Sequence, residues 1–285
     1  ISVPADGPIL SRLRLRTTME LPEAFDFTRM QRSENLKRQV IDAVFTLRGG
    51  MDFLDVEISL DHCIKDHRLR VLFPTEAKTE TFFADAAFDV TERRIPLPPD
   101  AHTYKELPVE THPMETWAAC FDGRRGLAIV APGLKEIAVL DDADRTMALT
   151  LLRATRRTVL TEGEPEGQVQ GPMKFRFRVV PLAGRLDEPT IYRHAQRVAA
   201  GLRCVNPSPV DERYFRRLHG REIPGQFVSV DGPLILTCCR ESGDGIELRL
   251  FNPMLEPAEA TVRLAWGSAL TPVDFEGRPV GERIP

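Results

Sequence analysis

The hydrophobic positions of this chain repeat mostly every second residue. In "LSRLRLRT", Leu13 and Leu15 alternate with Arg12, Arg14 and Arg16, the pattern of a strand with one hydrated face. "QVIDAVFTL" sets Ile41, Ala43, Phe45 and Leu47 on one side, although Leu36, Val40 and Val44 would also suit a short helix. "DVEISLDH" places Val56, Ile58, Leu60 and His62 opposite Asp55, Glu57, Ser59 and Asp61. "MKFRFRVV" alternates Met173, Phe175, Phe177 and Val179 with Lys174, Arg176 and Arg178. "IELRLF" (246–251) and "EATVRLAW" (259–266) repeat the alternation near the end, the latter with Trp266 on its apolar side. Such strands belong to antiparallel sheets with one packed and one wet face.

One segment has helical spacing. In "EPTIYRHAQRVAAGL" (188–202), Ile191, Ala195, Val198 and Leu202 share a face, with Pro189 at the start and Gly201 near the end. Prolines punctuate the strand candidates, and "NPSPVD" (206–211) marks the best boundary. The expected organisation is a large β domain over 1–210 and a small antiparallel module over 211–285. The fold class is mainly β, a sandwich rather than a barrel or doubly wound sheet.

A chain of 285 residues buries roughly 75% of its unfolded surface, so its core needs no covalent staples. A net charge of -4 gives no electrostatic case for nucleic acid. No apolar run reaches the roughly 20 residues of a membrane helix. The five cysteines (63, 120, 204, 238 and 239) form no disulfide framework, which points to reduced thiols and a cytoplasmic setting. Adjacent Cys238 and Cys239 should face opposite sides of a strand as buried or half-buried thiols. The first residue is Ile1, not methionine, and the chain reads as a piece of a longer protein.

Nucleotide-binding glycine loops, GxSxG and HExxH are absent, and the six histidines are dispersed. Polar chemistry is densest in "LDHCIKDHRLRVLF" (60–73). If 56–62 and 67–73 form a hairpin, His62 and His67 flank its turn about 5 Å apart. A metal would then need Asp61 or Asp66 as a further ligand, yet Asp61 points away from His62. The simpler expectation is a turn capped by Asp66, with Arg68 and Arg70 paired to Glu57 or Asp61 across the hairpin. In "THPMETW" (111–117), His112 and Trp117 suit a sugar's polar and apolar faces, while Trp117 equally suits a core. No spacing singles out a catalytic carboxylate pair.

Several pieces in order resemble glycoside hydrolase family 38, the α-mannosidases. They are "ISLDHCIKDHRLRVLFP" (58–74), "ELPVETHPMETW" with "DGRRGLAIVAPGLKEIAVL", "MALTLLRAT", "GPMKFRFRVVPLAG", and the tail from "SVDGPLILTCC" to "RLAW". The resemblance implies the family's carboxy-terminal β portion without its catalytic domain. That portion is a galactose-mutarotase-like supersandwich followed by a smaller sheet module. Asp61–His62–Cys63 stands where the family usually has asparagine, and Leu182 follows Pro181 in place of a frequent histidine. The family's zinc or other divalent metal and its aspartate nucleophile belong to the missing domain, so no catalytic residue, metal ligand or cofactor is expected here. Candidate cleft or interface residues are His67, Arg68, Arg70, His112, Glu115 and Trp117. Implied partners are the protein's own N-terminal catalytic domain, a mannose-containing carbohydrate and a second copy of the chain. The alternative is an independent carbohydrate-binding or mutarotase-like domain using His67, His112 and Glu115 for proton transfer.

Overall fold

The computed structural model describes residues 1–158, 161–163, 165–202, 204, 208–219, 225–243, 245–265, 267 and 269–284. The chain divides into two compact units, Ile1–Gly201 and Leu202–Pro285.

The first unit is a two-sheet sandwich in which every ladder is antiparallel. Its nine-stranded sheet runs, in spatial order, Ser2–Ala5, Leu10–Pro22, Leu36–Arg48, Leu54–His62, Gly171–Ala183, Arg125–Val130, Trp117–Phe121, Thr81–Ala86 and Asp89–Arg94. The facing four-stranded sheet runs Thr111–Pro113, Glu136–Val139, Met147–Ala154 and His67–Phe73. The period-two leucines, valines and phenylalanines meet between them. Val56, Ile58, Leu60 and Phe177 from the large sheet pack against Ile137, Met147 and Leu149 from the small one. Phe73 and Phe177 touch edge to face across the gap at 5.9 Å.

"WAACF" and "GLAIV" lack polar alternation because both of their faces are covered. Ala118, Cys120 and Ile129 look into the sandwich, whereas Trp117, Ala119, Ala128 and Val130 lie under the helix Glu188–Ala200. Asp187 caps that helix by accepting the Thr190 N–H at 3.1 Å. Gly201 closes it at φ +63°, donating to the Arg197 carbonyl. Beyond the helix the outer sheet face carries ion pairs: Glu57 with Lys174 (3.0 Å) and Arg176 (2.8 Å), and Asp42 with Arg14 and Arg16.

The structure bears out one strand reading over its helical alternative and corrects other expectations. Residues 36–48 are strand throughout, paired from Leu36↔Pro22 to Arg48↔Leu10. Leu54–His62 and His67–Phe73 are not a hairpin. The first pairs with Leu36–Arg48 and Gly171–Ala183, and the second with Met147–Ala154 in the opposite sheet. Alternation states that each strand has one apolar face; it does not state whether two such faces lie side by side or face each other.

The second unit, taken alone, holds a helix, Pro209–His219, that the alternation did not announce. It also has two antiparallel ladders, Val228–Asp231 with Thr261–Leu264 and Ile235–Ser242 with Gly245–Phe251. Cys239 is exposed and Cys238 half-buried, so the adjacent thiols are not both sheltered. Trp266 lies outside the described residues.

Candidate functional site

The polar residues of 60–73 gather where the chain passes from one sheet to the other. Asp66 sits at φ +52°, a left-handed conformation that aspartate tolerates better than most residues. Its carboxylate accepts the Phe25 N–H at 3.1 Å and the Gln168 side-chain amide at 2.6 Å, and it pairs with Arg156 at 3.2 Å. The Asp66 N–H in turn donates to Gln168 Oε1 at 2.9 Å. Arg32 donates to the carbonyls of Pro22 and Asp66, each at 2.7 Å. Gln39 accepts the Cys63 N–H and donates to the Asp61 carbonyl. Buried polar groups must find partners, and these backbone and side-chain groups find theirs in neighbouring segments. Four chain segments are tied together in this way.

His62 and His67 do meet, at 5.0 Å between ring centroids. His62 Nδ1 bonds the Val169 carbonyl at 2.8 Å; since the carbonyl can only accept, that nitrogen is the donor. His62 Nε2 and His67 Nδ1 are buried without a protein partner. Burial first, then the neighbouring His62 and Arg32, pull the His67 pKa down to about 4. Two imidazoles supply only half of a tetrahedral metal shell. Both Asp66 oxygens are already engaged, and among the described residues no group of three or more His, Cys, Asp or Glu could hold an ion. This donor set does not fit the family metal.

Arg68 and Arg70 share the outer face of the small sheet, but not with the expected partners. Arg68 pairs with Glu136 at 3.3 Å, and Arg70 donates to the Thr111 hydroxyl at 2.8 Å. Glu57 and Asp61 belong to the other sheet and are out of reach, because no hairpin forms. Arg153 and Thr150 complete the strip, bonding Glu136 at 3.2 and 2.7 Å. A shallow cavity of about 370 Å³ adjoins it, lined by Phe25, Phe27, Asp66, His67, Arg68 and Arg153 among others. The Phe27 ring carries the Arg156 and Arg157 guanidiniums at 5.1 and 4.8 Å.

The remaining candidates lie apart. His112 contacts Phe82 of the core at 5.7 Å, and burial, then Arg93, lowers its pKa. Glu115 is on the surface, paired with Lys135 at 2.8 Å. Trp117 is wholly buried, edge-on to Tyr192 at 5.5 Å. The structure therefore gathers His67, Arg68 and Arg70 near one rim, leaves His112 half-buried beside Phe82, and sends Trp117 into the interior.

Two organising residues escaped the sequence reading. Buried Asp85 accepts the N–H groups of Glu115, Thr116 and Trp117 at 2.8–2.9 Å; its one signal is an acid inside the apolar run "FFADAAF". Arg178 lies 3.4 Å over the Phe53 ring while bonding Asp55 (2.8 Å) and His194 (2.9 Å), which clamps the helix to the sheet. Nothing in its alternation distinguishes it from exposed Arg176.

Residues 5–158 match the family model described as the glycosyl hydrolases family 38 C-terminal domain. The chain belongs to glycosyl hydrolase family 38. A family 38 protein of Enterococcus faecalis superposes with TM-score 0.82 at 22% identity, covering all of this chain and 34% of that one. An α-mannosidase from E. faecalis V583 gives 0.81 at 23%, covering all of this chain and 33% of its own. At that identity the likeness speaks for the mainly β, multi-sheet fold. A protein of Halalkalibacterium halodurans named "Putative mannosylglycerate hydrolase" is 32% identical over 218 residues, 74% of this chain and 22% of that protein. The chain thus corresponds to one part of larger family 38 proteins. Among the described residues, no helix is long and apolar enough to cross a membrane.

Proposed function

We propose that this chain is the non-catalytic accessory β region of an α-mannosidase-like hydrolase. It packs on a preceding catalytic domain of the same protein and helps to shape its carbohydrate cleft. The observation that carries the reading is the use of the polar centre at Asp66: its groups are spent on tying loops together. The match to the family's C-terminal domain supports the same conclusion. The reaction of the whole protein is retaining hydrolysis of an α-mannoside, with a nucleophile and acid/base about 5–5.5 Å apart. A divalent metal held by the catalytic domain would supply electrostatic stabilisation there. The setting is cytoplasmic, and mannosylglycerate joins the substrate panel through the name of the Halalkalibacterium relative. An independent sugar-processing role gains no support, since His67, His112 and Glu115 do not converge.

Assays of this chain and of the full-length protein on an aryl α-mannoside and on mannosylglycerate test the proposal. Chelator-sensitive turnover is expected from the full-length protein only. Metal-dependent release by the 285-residue chain alone would sink it.

A further inference from the structure

The small sheet covers only part of the large one. Along the inner face of the strands Leu10–Pro22 and Leu36–Arg48, register pairs Leu13 with Phe45, Leu15 with Ala43 and Thr17 with Ile41. Ala43 and Phe45 continue to Ile58 and Val56 of the next strand, so this face is one surface with the sandwich core. Ile41 and Phe45 are half-buried against that core. Farther out the cover stops: Leu13 is 42% exposed, Leu15 36% and Leu47 51%. On the reverse face Arg14 and Arg16 are paired with Asp42, an arrangement suited to water.

We infer that the inner face of Leu10–Pro22 and Leu36–Arg48, centred on Leu13, Leu15 and Phe45, is where the rest of the same polypeptide docks. The occupant presents an apolar surface and completes this core. A larger body of chain is at hand, because the equivalent region makes up only 34% and 33% of the two matched structures. This assignment rests on the accessory-region reading above and adds to it the surface that is used.

Cysteine accessibility in the full-length protein tests it, with Leu13→Cys and Leu15→Cys on the inner face and Arg14→Cys and Arg16→Cys on the reverse. Maleimide labelling is read peptide by peptide, so native thiols do not interfere. Inner-face cysteines are expected to label at least about tenfold more slowly, the signature of desolvated side chains. Equal rates overturn the assignment. A protease site engineered ahead of this region separates the two levels of the proposal. If the cleaved halves co-purify while the inner face labels freely, the accessory reading stands and the surface is wrong. If the halves part, the accessory reading itself fails. Protection that vanishes on dilution, together with a dimer in light scattering, assigns the face to a second copy and also overturns the inference. Should a variant not fold, hydroxyl-radical footprinting of the unsubstituted full-length protein reads the same leucines. Strong protection of Leu13 and Leu15 relative to the urea-unfolded protein is expected, and oxidation at a rate matching their partial exposure here overturns the assignment.

Discussion

Asp66 is the residue on which the loop crossing depends. Asp66→Ala would strand the Phe25 N–H and the Gln168 amide, remove the carboxylate paired with Arg156, and place alanine at φ +52°. A loss of about 2–4 kcal/mol is expected from those unmet buried groups, read as a lower urea midpoint with unchanged metal content. Asp66→Asn keeps the geometry and one acceptor, so its loss should be smaller. His67 gives a pH prediction with a definite sign. Its native pKa near 4 lies below the ordinary 6.5, so the unfolded chain binds the proton more tightly between those values. The stability is present above pH 6.5, declines as pH falls toward 4, and is lost below it. Between pH 6.5 and 5 the decline should be about 2 kcal/mol. Comparing urea midpoints of the wild type and His67→Gln at both pH values isolates it; parallel slopes would refute it.

At the scale of elements, the hairpin joining Trp117–Phe121 to Arg125–Val130 is sensitive to a single atom. A Cβ on Gly126 would lie 2.0 Å from the Cys120 carbonyl oxygen, a backbone atom with nowhere to retreat. Gly126→Ala should therefore cost more than about 3 kcal/mol, or prevent folding, because both faces of this strand are buried. Gly123, two residues into the turn, sits at φ +86° with open space beside it. Its alanine variant should lose only about 1 kcal/mol from backbone strain. Thermal unfolding of the two variants side by side checks the contrast. At the neighbouring helix, Asp187→Ala removes the cap and should cost about 1 kcal/mol.

For the whole molecule, we propose that the large β region folds as its own domain. A chain of residues 1–210 should keep a β-type circular dichroism spectrum and one cooperative transition, and a non-cooperative melt would refute this. Much of that architecture is legible in one dimension. Period-two alternation in 10–22, 54–62 and 171–183 determines strands with one apolar face, and Pro189 and Gly201 bracket a helix. These signals are local, arising from backbone geometry and the side each residue presents. The histidines of 60–73 were likewise visible, and so was the family that the stretch marks. What only the tertiary structure decided is which apolar faces oppose one another. It carried His67–Phe73 across to the second sheet, gave Arg68 to Glu136 and Arg70 to Thr111, and turned Trp117 inward beneath the helix. Those choices depend on contacts between residues far apart in the chain. Alternation, which repeats every two residues, carries no information about them.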